Sequence, residues 1–357
     1  MTFRTSLFAF GSVLTLLALA SPAHTQDGDA MQGTDISMDE VTEAKLAYPE
    51  ILSDDPWNFG GTPGRVIRTA HYRIYTTETT PVIRDRLAKF AEYALPHYRT
   101  SLTPNSPLPR PTQRLDTYLM DNRPQWTTIT KRLAGQRSDE LLKIGRGGFA
   151  FRGIGVYYDL GLYDTLAIAA HEGWHQYTQR TFQVSLPIWL EEGIAAYNEG
   201  HRWDRSTPLF RPWANPQRYE QLVNAERSGS LFTLEELIES SPQDYFDTAG
   251  DDVLTYYAQL WALVHFLNEG ENGAYQASLR ILLNDAASGK ARETLETRVG
   301  VENARRTLLS RSGPAMFFAY FDEDLDKVNE QYMSFIQTIT AQAVRSKIVN
   351  GTSPMTP

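Results

Sequence analysis

The sequence predicts an α+β fold, with a mixed α/β lobe at residues 66–165 followed by a mainly helical lobe at residues 166–345. Three observations predict it. Short runs of β-branched and aromatic residues alternate with helical periods before residue 165, and helical spacing dominates after it. A length of 357 residues with 41% apolar and 22% charged residues suits a soluble folded body rather than a disordered chain. No internal repeat interrupts this plan.

Arg4 precedes the apolar runs Leu7–Phe10, Val13-Leu14, Leu16-Leu17 and Leu19-Ala20, and small residues follow at Ser21-Pro22-Ala23. This is the pattern of a secretory signal peptide, residues 1–23, and it implies a secreted or periplasmic protein of bacterial type. The run is shorter than the roughly 20 residues that a membrane-spanning helix needs, and no later segment is apolar enough to span. Residues 24–65 are acidic and rich in Gly and Pro, so they read as an arm or linker with a short helix near residues 38–47. Residues 66–76 read as one strand, and Pro81–Tyr98 as a helix through Ile83, Leu87, Phe90 and Ala94. Leu115–Met120 alternates as a strand, Arg123–Leu133 is helical after a Pro start, and the glycine-rich stretch from residue 147 to 160 reads as a sheet edge. Helices are then expected at 166–179, 190–199, 216–225, 234–239, 253–268, 275–287, 291–299 and 330–348, with a flexible tail at 346–357.

A net charge of −9 argues against a nucleic-acid binder held by phosphate neutralisation. The chain has no cysteine, which excludes disulfides, thiolate metal sites and cysteine nucleophiles. Any metal must be held by nitrogen and oxygen.

One segment meets that requirement. In His171-Glu172-Gly173-Trp174-His175 the two histidines stand four apart, so a helix presents both imidazoles on one face, with Glu172 about 100° round where it can reach water. The approach from Leu166 to Ala170 is apolar, which implies burial and makes an unused histidine pair costly. A catalytic zinc site takes three protein ligands and leaves a position for water. Pro187-Ile188-Trp189-Leu190-Glu191-Glu192-Gly193 supplies two carboxylates near the start of a second helix, whose small residues permit close approach. Spacing leaves Glu191 and Glu192 both open as the third ligand. Tyr256 and Tyr257 are candidate donors to a developing oxyanion. Glu199 shares a helix face with Glu192, His265 reads as a core or supporting histidine, and His71, His97 and His201 lack ligand spacing.

These two segments resemble the gluzincins, zinc metallopeptidases in which a glutamate of a Trp-Leu-x-Glu-Gly segment joins the HExxH histidines. The likeness is greatest to the compact branch called peptidase MA-like, whose later Tyr-Ala-Gln element is matched by Tyr257-Ala258-Gln259, and it extends over roughly Ala70 to Leu283. The resemblance implies a zincin-like fold, one Zn2+ ion held by His171, His175 and Glu192, support of a zinc histidine by Glu199, and Tyr257 as the oxyanion donor. It also implies peptide or protein substrates laid along the edge at 147–150, with Glu172 as the base that activates water on the zinc. Two other readings stay open: a zincin-fold binding or scaffold protein without turnover, and an amidase acting on cell-wall peptides.

Overall fold

The computed structural model describes residues 50–245 and 251–355. The expected signal peptide and the short helix near residues 38–47 lie outside the described residues.

The N-terminal lobe is built on a six-stranded sheet. Its strands are β1 (Ser53–Phe59), β2 (Thr62–Arg68), β3 (Tyr72–Thr76), β4 (Leu115–Met120), β5 (Gly148–Phe151) and β6 (Ile154–Tyr158), in spatial order β1-β2-β3-β4-β6-β5. β3, β4 and β6 run parallel, and the pairs β1·β2, β2·β3 and β5·β6 are antiparallel. The parallel steps require crossovers, which α1 (Pro81–Thr100) and α2 (Arg123–Ala134) provide. Each helix covers a different face of the sheet. Phe90 and Leu87 of α1 join the main core with Ile74 and Tyr157, whereas Trp126 and Ile129 of α2 pack with Phe149, Val156 and Met120.

Two expectations here are corrected. Residues 53–65, read as part of the acidic arm, form β1 and most of β2, turning at Gly60-Gly61, whose φ of 60° and 95° suit glycine. The single strand expected at 66–76 is two strands, because the chain reverses at Thr69-Ala70-His71. The Thr69 N–H donates to Tyr72 O (3.0 Å) and the Glu92 carboxylate accepts from His71 N–H (2.7 Å). A turn held by a carboxylate 21 residues away leaves no local signature.

The helical lobe follows with α3 (Leu162–Thr181) and α4 (Ile188–Asn198), a small hairpin of β7 (His201–Asp204) and β8 (Thr207–Phe210), then α5 (Pro216–Ser228) and α6 (Leu234–Glu239). After residue 251 come α7 (Asp252–Glu269), α8 (Gln276–Ser288), α9 (Ala291–Val299), α10 (Val301–Ser310), α11 (Ala315–Tyr320), α12 (Leu325–Thr340) and α13 (Arg345–Val349). The hairpin, α10 and α11 were not expected. The last long helix starts earlier than predicted, at an Asp324 cap that accepts from Lys327 N–H (3.0 Å), and stops where Ala341 turns extended at ψ 135°. Residues 346–355 are not a loose tail: Ile348 is buried, the Arg202 guanidinium donates to Val349 O, and Ser353 binds the Glu269 carboxylate. No helix among the described residues is long and apolar enough to cross a membrane.

In α3 every residue from Thr165 to Thr178 is buried, so this helix is the axis of the molecule rather than a surface helix with one apolar stripe. It lies between the sheet, α1 and α4. Gln176 ties it to the sheet by donating to Asp116 O (2.5 Å) and Gly153 O (3.2 Å), and Tyr98 of α1 donates to Ala170 O (2.9 Å).

Close approach depends on two glycines. A Cβ on Gly173 would stand 2.4 Å from the Tyr98 hydroxyl, and one on Gly193 of α4 would stand 2.8 Å from Leu260 O and from Val264 Cγ2 of α7. The second contact includes backbone, which cannot rotate away. Gly193→Ala should therefore destabilise by about 1–3 kcal/mol despite the roughly 1 kcal/mol helix-propensity gain. Urea unfolding checks this, and an unchanged or raised midpoint would refute the tight α4–α7 contact.

Candidate metal centre

The site forms where α3, α4, α5 and α7 meet beside β5. His171 and His175 are one turn apart on α3, and Glu192 enters from α4 because Gly193 lets that helix seat deeply. Side-chain ligand atoms of His171, His175 and Glu192 all lie within 4.8 Å of one another. His171 Nε2 is 3.4 Å and His175 Nε2 is 3.6 Å from the same Glu192 oxygen, Oε2. For metal–ligand bonds of about 2.0–2.1 Å, the edge of a tetrahedron is about 3.3 Å, so these separations suit a shared ion. The orphaned atoms agree. His171 Nε2, both Glu192 oxygens and both Glu172 oxygens are buried without a hydrogen-bond partner among the described residues. Such groups are costly unless something binds them.

Of the two carboxylates left open by spacing, Glu192 is the one that faces both histidines and completes a group that could hold a metal ion. One residue apart on α4, they point about 100° from each other. Glu191 passes to the far side of His175, where its Oε1 meets Nδ1 (3.1 Å) and also accepts from Thr178 Oγ1 (2.6 Å). Glu199, just past the end of α4, does the same for His171, with Oε1 2.8 Å from Nδ1. Both imidazoles therefore use Nδ1 on a carboxylate and turn Nε2 towards Glu192. That arrangement selects the Nδ1–H tautomer and makes Nε2 the donor atom for a metal.

Glu199 is held in turn. Arg218 of α5 grips it with Nη2 on Oε1 (2.8 Å) and Nε on Oε2 (3.0 Å), while Asn215 Nδ2 donates to Oε2 (2.8 Å). The Arg218 guanidinium is 5.0 Å from the centre of the Tyr257 ring, and that ring is 6.0 Å from His171 edge to face. Tyr256 points elsewhere, its hydroxyl donating to Ser240 O (3.0 Å). Glu172 faces β5, and a Cβ on Gly148 would stand 3.1 Å from its Cγ.

Burial governs the ionisation of these groups. It would raise the Glu192 carboxyl, but the His175 charge and both imidazole contacts bring it down to about 2. It would raise Glu199 likewise, and Arg218 with His171 hold it at about 2. Glu172 has no hydrogen bond among the described residues, and burial pushes it up to about 7 against the opposing histidines. Burial would lower His175, but Glu192 and Glu191 raise it to about 10.

The other described histidines are held in ring stacks or hydrogen bonds within the fold. His265 stacks on Trp213 at 3.7 Å and meets Glu269 (3.0 Å), His201 donates Nδ1 to Glu199 O (2.9 Å), and His71 pairs with Glu92 (2.8 Å). His97 stacks on Phe210. Sequence reading missed Asn215, Arg218, Thr178 and the supporting position of Glu191. One signal was available for Arg218: it shares the apolar face of α5 with Leu222 and Ala225, where an arginine is retained only if a carboxylate meets it.

Arg218→Met removes a buried cation and leaves Glu199 unpaired. A loss of roughly 3–5 kcal/mol in denaturant unfolding is expected. Glu191→Ala spares the three ligands but frees His175 Nδ1, so metal affinity in a chelator competition should fall about 10–100-fold. Affinity equal to that of the unsubstituted protein would show that Glu191 has no part in holding the ring.

Residues 165–286, about a third of the chain, match the family described as protein of unknown function, DUF1570. The match runs from the start of α3 into α8 and so includes His171, Glu172, His175, Glu192, Glu199, Arg218 and Tyr257. No curated protein matches the chain.

Proposed function

We propose that this protein is an exported zinc metallopeptidase of the gluzincin type. The observation that carries the reading is the orphaned, buried set of His171 Nε2, Glu192 and Glu172 with both imidazoles oriented by carboxylates. Two imidazole nitrogens and a carboxylate are a donor set that Zn2+ takes in open, catalytic sites. When bound there, such an ion supplies Lewis acidity to a carbonyl oxygen and lowers the pKa of water.

The chain's own residues then divide the work. His171, His175 and Glu192 hold the ion, and Glu191 and Glu199 keep the rings turned to it. Glu172 has no hydrogen-bond partner among the described residues, so its carboxylate is available to take a proton from the attacking water and return it to the leaving amine. A carboxyl pushed up by burial is the better base and the better acid near neutral pH. Tyr257 is the phenol beside His171 suited to donate to a developing oxyanion. β5 is an edge strand whose Gly148 lies against Glu172, so an extended peptide added to that edge would bring its backbone to the base.

A second reading, a zincin-fold binding or scaffold protein without turnover, draws support from one observation. His171, Glu172, Glu192 and Tyr257 are each 0% exposed and His175 is 1% exposed, so the site as described is sealed from a polymeric substrate.

One experiment separates the readings. Purified protein should contain one zinc per chain and cleave members of a peptide library. Glu172→Gln should keep the zinc and lose at least about 100-fold in kcat/KM, Tyr257→Phe should lose roughly 10–100-fold, and Tyr256→Phe should stay near the unsubstituted rate. Zinc without cleavage in the unsubstituted protein would favour the scaffold reading, and protein purified and reloaded without binding zinc would overturn both.

A further inference from the structure

We propose that a second site, at the opposite end of the sheet from the strand C-termini, binds a phosphoryl-type oxyanion through Arg114 and Arg180. A surface hollow of about 510 Å³ lies where β3 and β4 begin, lined among others by Arg68, His71, Arg73, Arg114, Asp116 and Arg180. This is an unusual concentration of cations on a chain of net charge −9.

The cations fall into two groups. Arg68 is paired with Asp55, Arg73 makes a two-pronged pair with Asp116 through Nε (2.7 Å) and Nη2 (2.6 Å), and His71 meets Glu92. These are settled within the fold. Arg114 and Arg180 differ. The Nε of Arg114 donates to Thr69 O (2.8 Å) and that of Arg180 to Gly153 O (3.4 Å), and neither has a carboxylate partner among the described residues. A guanidinium tethered at Nε has its plane held, with part of the ordering cost of a fork already met by the backbone.

The chemistry of the ligand follows from two such forks. A carboxylate has two oxygens and satisfies one fork, whereas a phosphate monoester has three terminal oxygens, inorganic phosphate has four, and each carries up to two charges near neutral pH, so either can bridge both. The neighbouring pairs matter too. Because Arg68 and Arg73 are already neutralised, the hollow carries about two net positive charges, matched to a dianion rather than to an extended polyanion.

The site bears on α3 as well. Arg180 is in the last turn of that helix, nine residues beyond His171 and so about 13 Å along the axis. Occupancy would tie the end of α3 to the turn between β2 and β3 and to β4, which start at Thr69 and Leu115.

Binding is tested on the full chain by calorimetric titration and thermal unfolding with inorganic phosphate, glycerol phosphate, acetate and chloride at one fixed ionic strength. Inorganic phosphate or glycerol phosphate should bind saturably and raise the Tm, while acetate and chloride do not. Equal binding of both phosphates makes the free ion sufficient, and at least tenfold preference for the ester identifies a carrier-borne phosphoryl group. Arg114→Gln and Arg180→Gln should each weaken binding at least tenfold, and Arg180→Lys, which keeps charge but not the fork, should fall between. Both positions are exposed, so the ligand-free Tm and the metal content should be unchanged. No saturable binding, equal response to acetate, or undiminished binding in the Arg114→Gln, Arg180→Gln double variant would overturn the proposal. None of these readouts depends on peptide cleavage.

Discussion

Everything around α3 answers to one constraint, the burial of an excess of negative charge. Glu172, Glu191, Glu192 and Glu199 are all 3% exposed or less. Among the described residues the cations that act on them are Arg218, locked on Glu199, and Arg311, whose charge acts on Glu191 and Glu192. Carboxylates taken out of water are costly by several kcal/mol each unless they are paired. The two imidazoles take part of that load, as the lowered carboxyls of Glu192 and Glu199 and the raised His175 record. A divalent cation at the shared Glu192 oxygen would remove most of the remainder.

The rest of the architecture can be understood as what it takes to bring these buried groups together. Gly193 lets α4 lie against α7, Gly173 leaves room for the Tyr98 hydroxyl, and Gly148 lets β5 touch Glu172. Gln176, one residue after His175, fixes the rotation of α3 by bonding a carbonyl of β4 and one of the β5–β6 turn. A helix pinned on the sheet side by Gln176 and on the other by Tyr98 has little freedom to turn its histidines. Arg311 contributes from a distance: in a left-handed conformation at φ 59°, its Nε donates to Leu186 O and its carbonyl accepts from Ile188 N–H. It thereby sets the entry of α4, and with it Glu191 and Glu192.

The sequence carried the parts of this that are periodic or local. The four-residue histidine spacing, the apolar approach from Leu166 and the Pro start of α2 are properties of one helix at a time, and the expected β4, α6 and α9 match their observed bounds. Features held by distant partners were not legible. The break between β2 and β3 depends on Glu92, the hairpin of residues 53–68 sat in acidic, glycine-rich sequence that resembles linker, and the docking of residues 346–355 depends on Glu269 and Arg202. The same division runs through the site.

By itself the sequence determined that no thiolate binds a metal here, that His171 and His175 share a helix face, and that a carboxylate of the 191–192 pair could join them. Those conclusions follow from composition and from the 100° step of a helix, which need no partner. Only the tertiary structure decided that Glu192 faces both imidazoles while Glu191 and Glu199 stand behind them, that Arg218 anchors Glu199, and that Tyr257 rather than Tyr256 lies beside His171. Each of those depends on how one helix is rotated against another, and that rotation is set by glycine contacts and long-range hydrogen bonds between residues far apart in the chain.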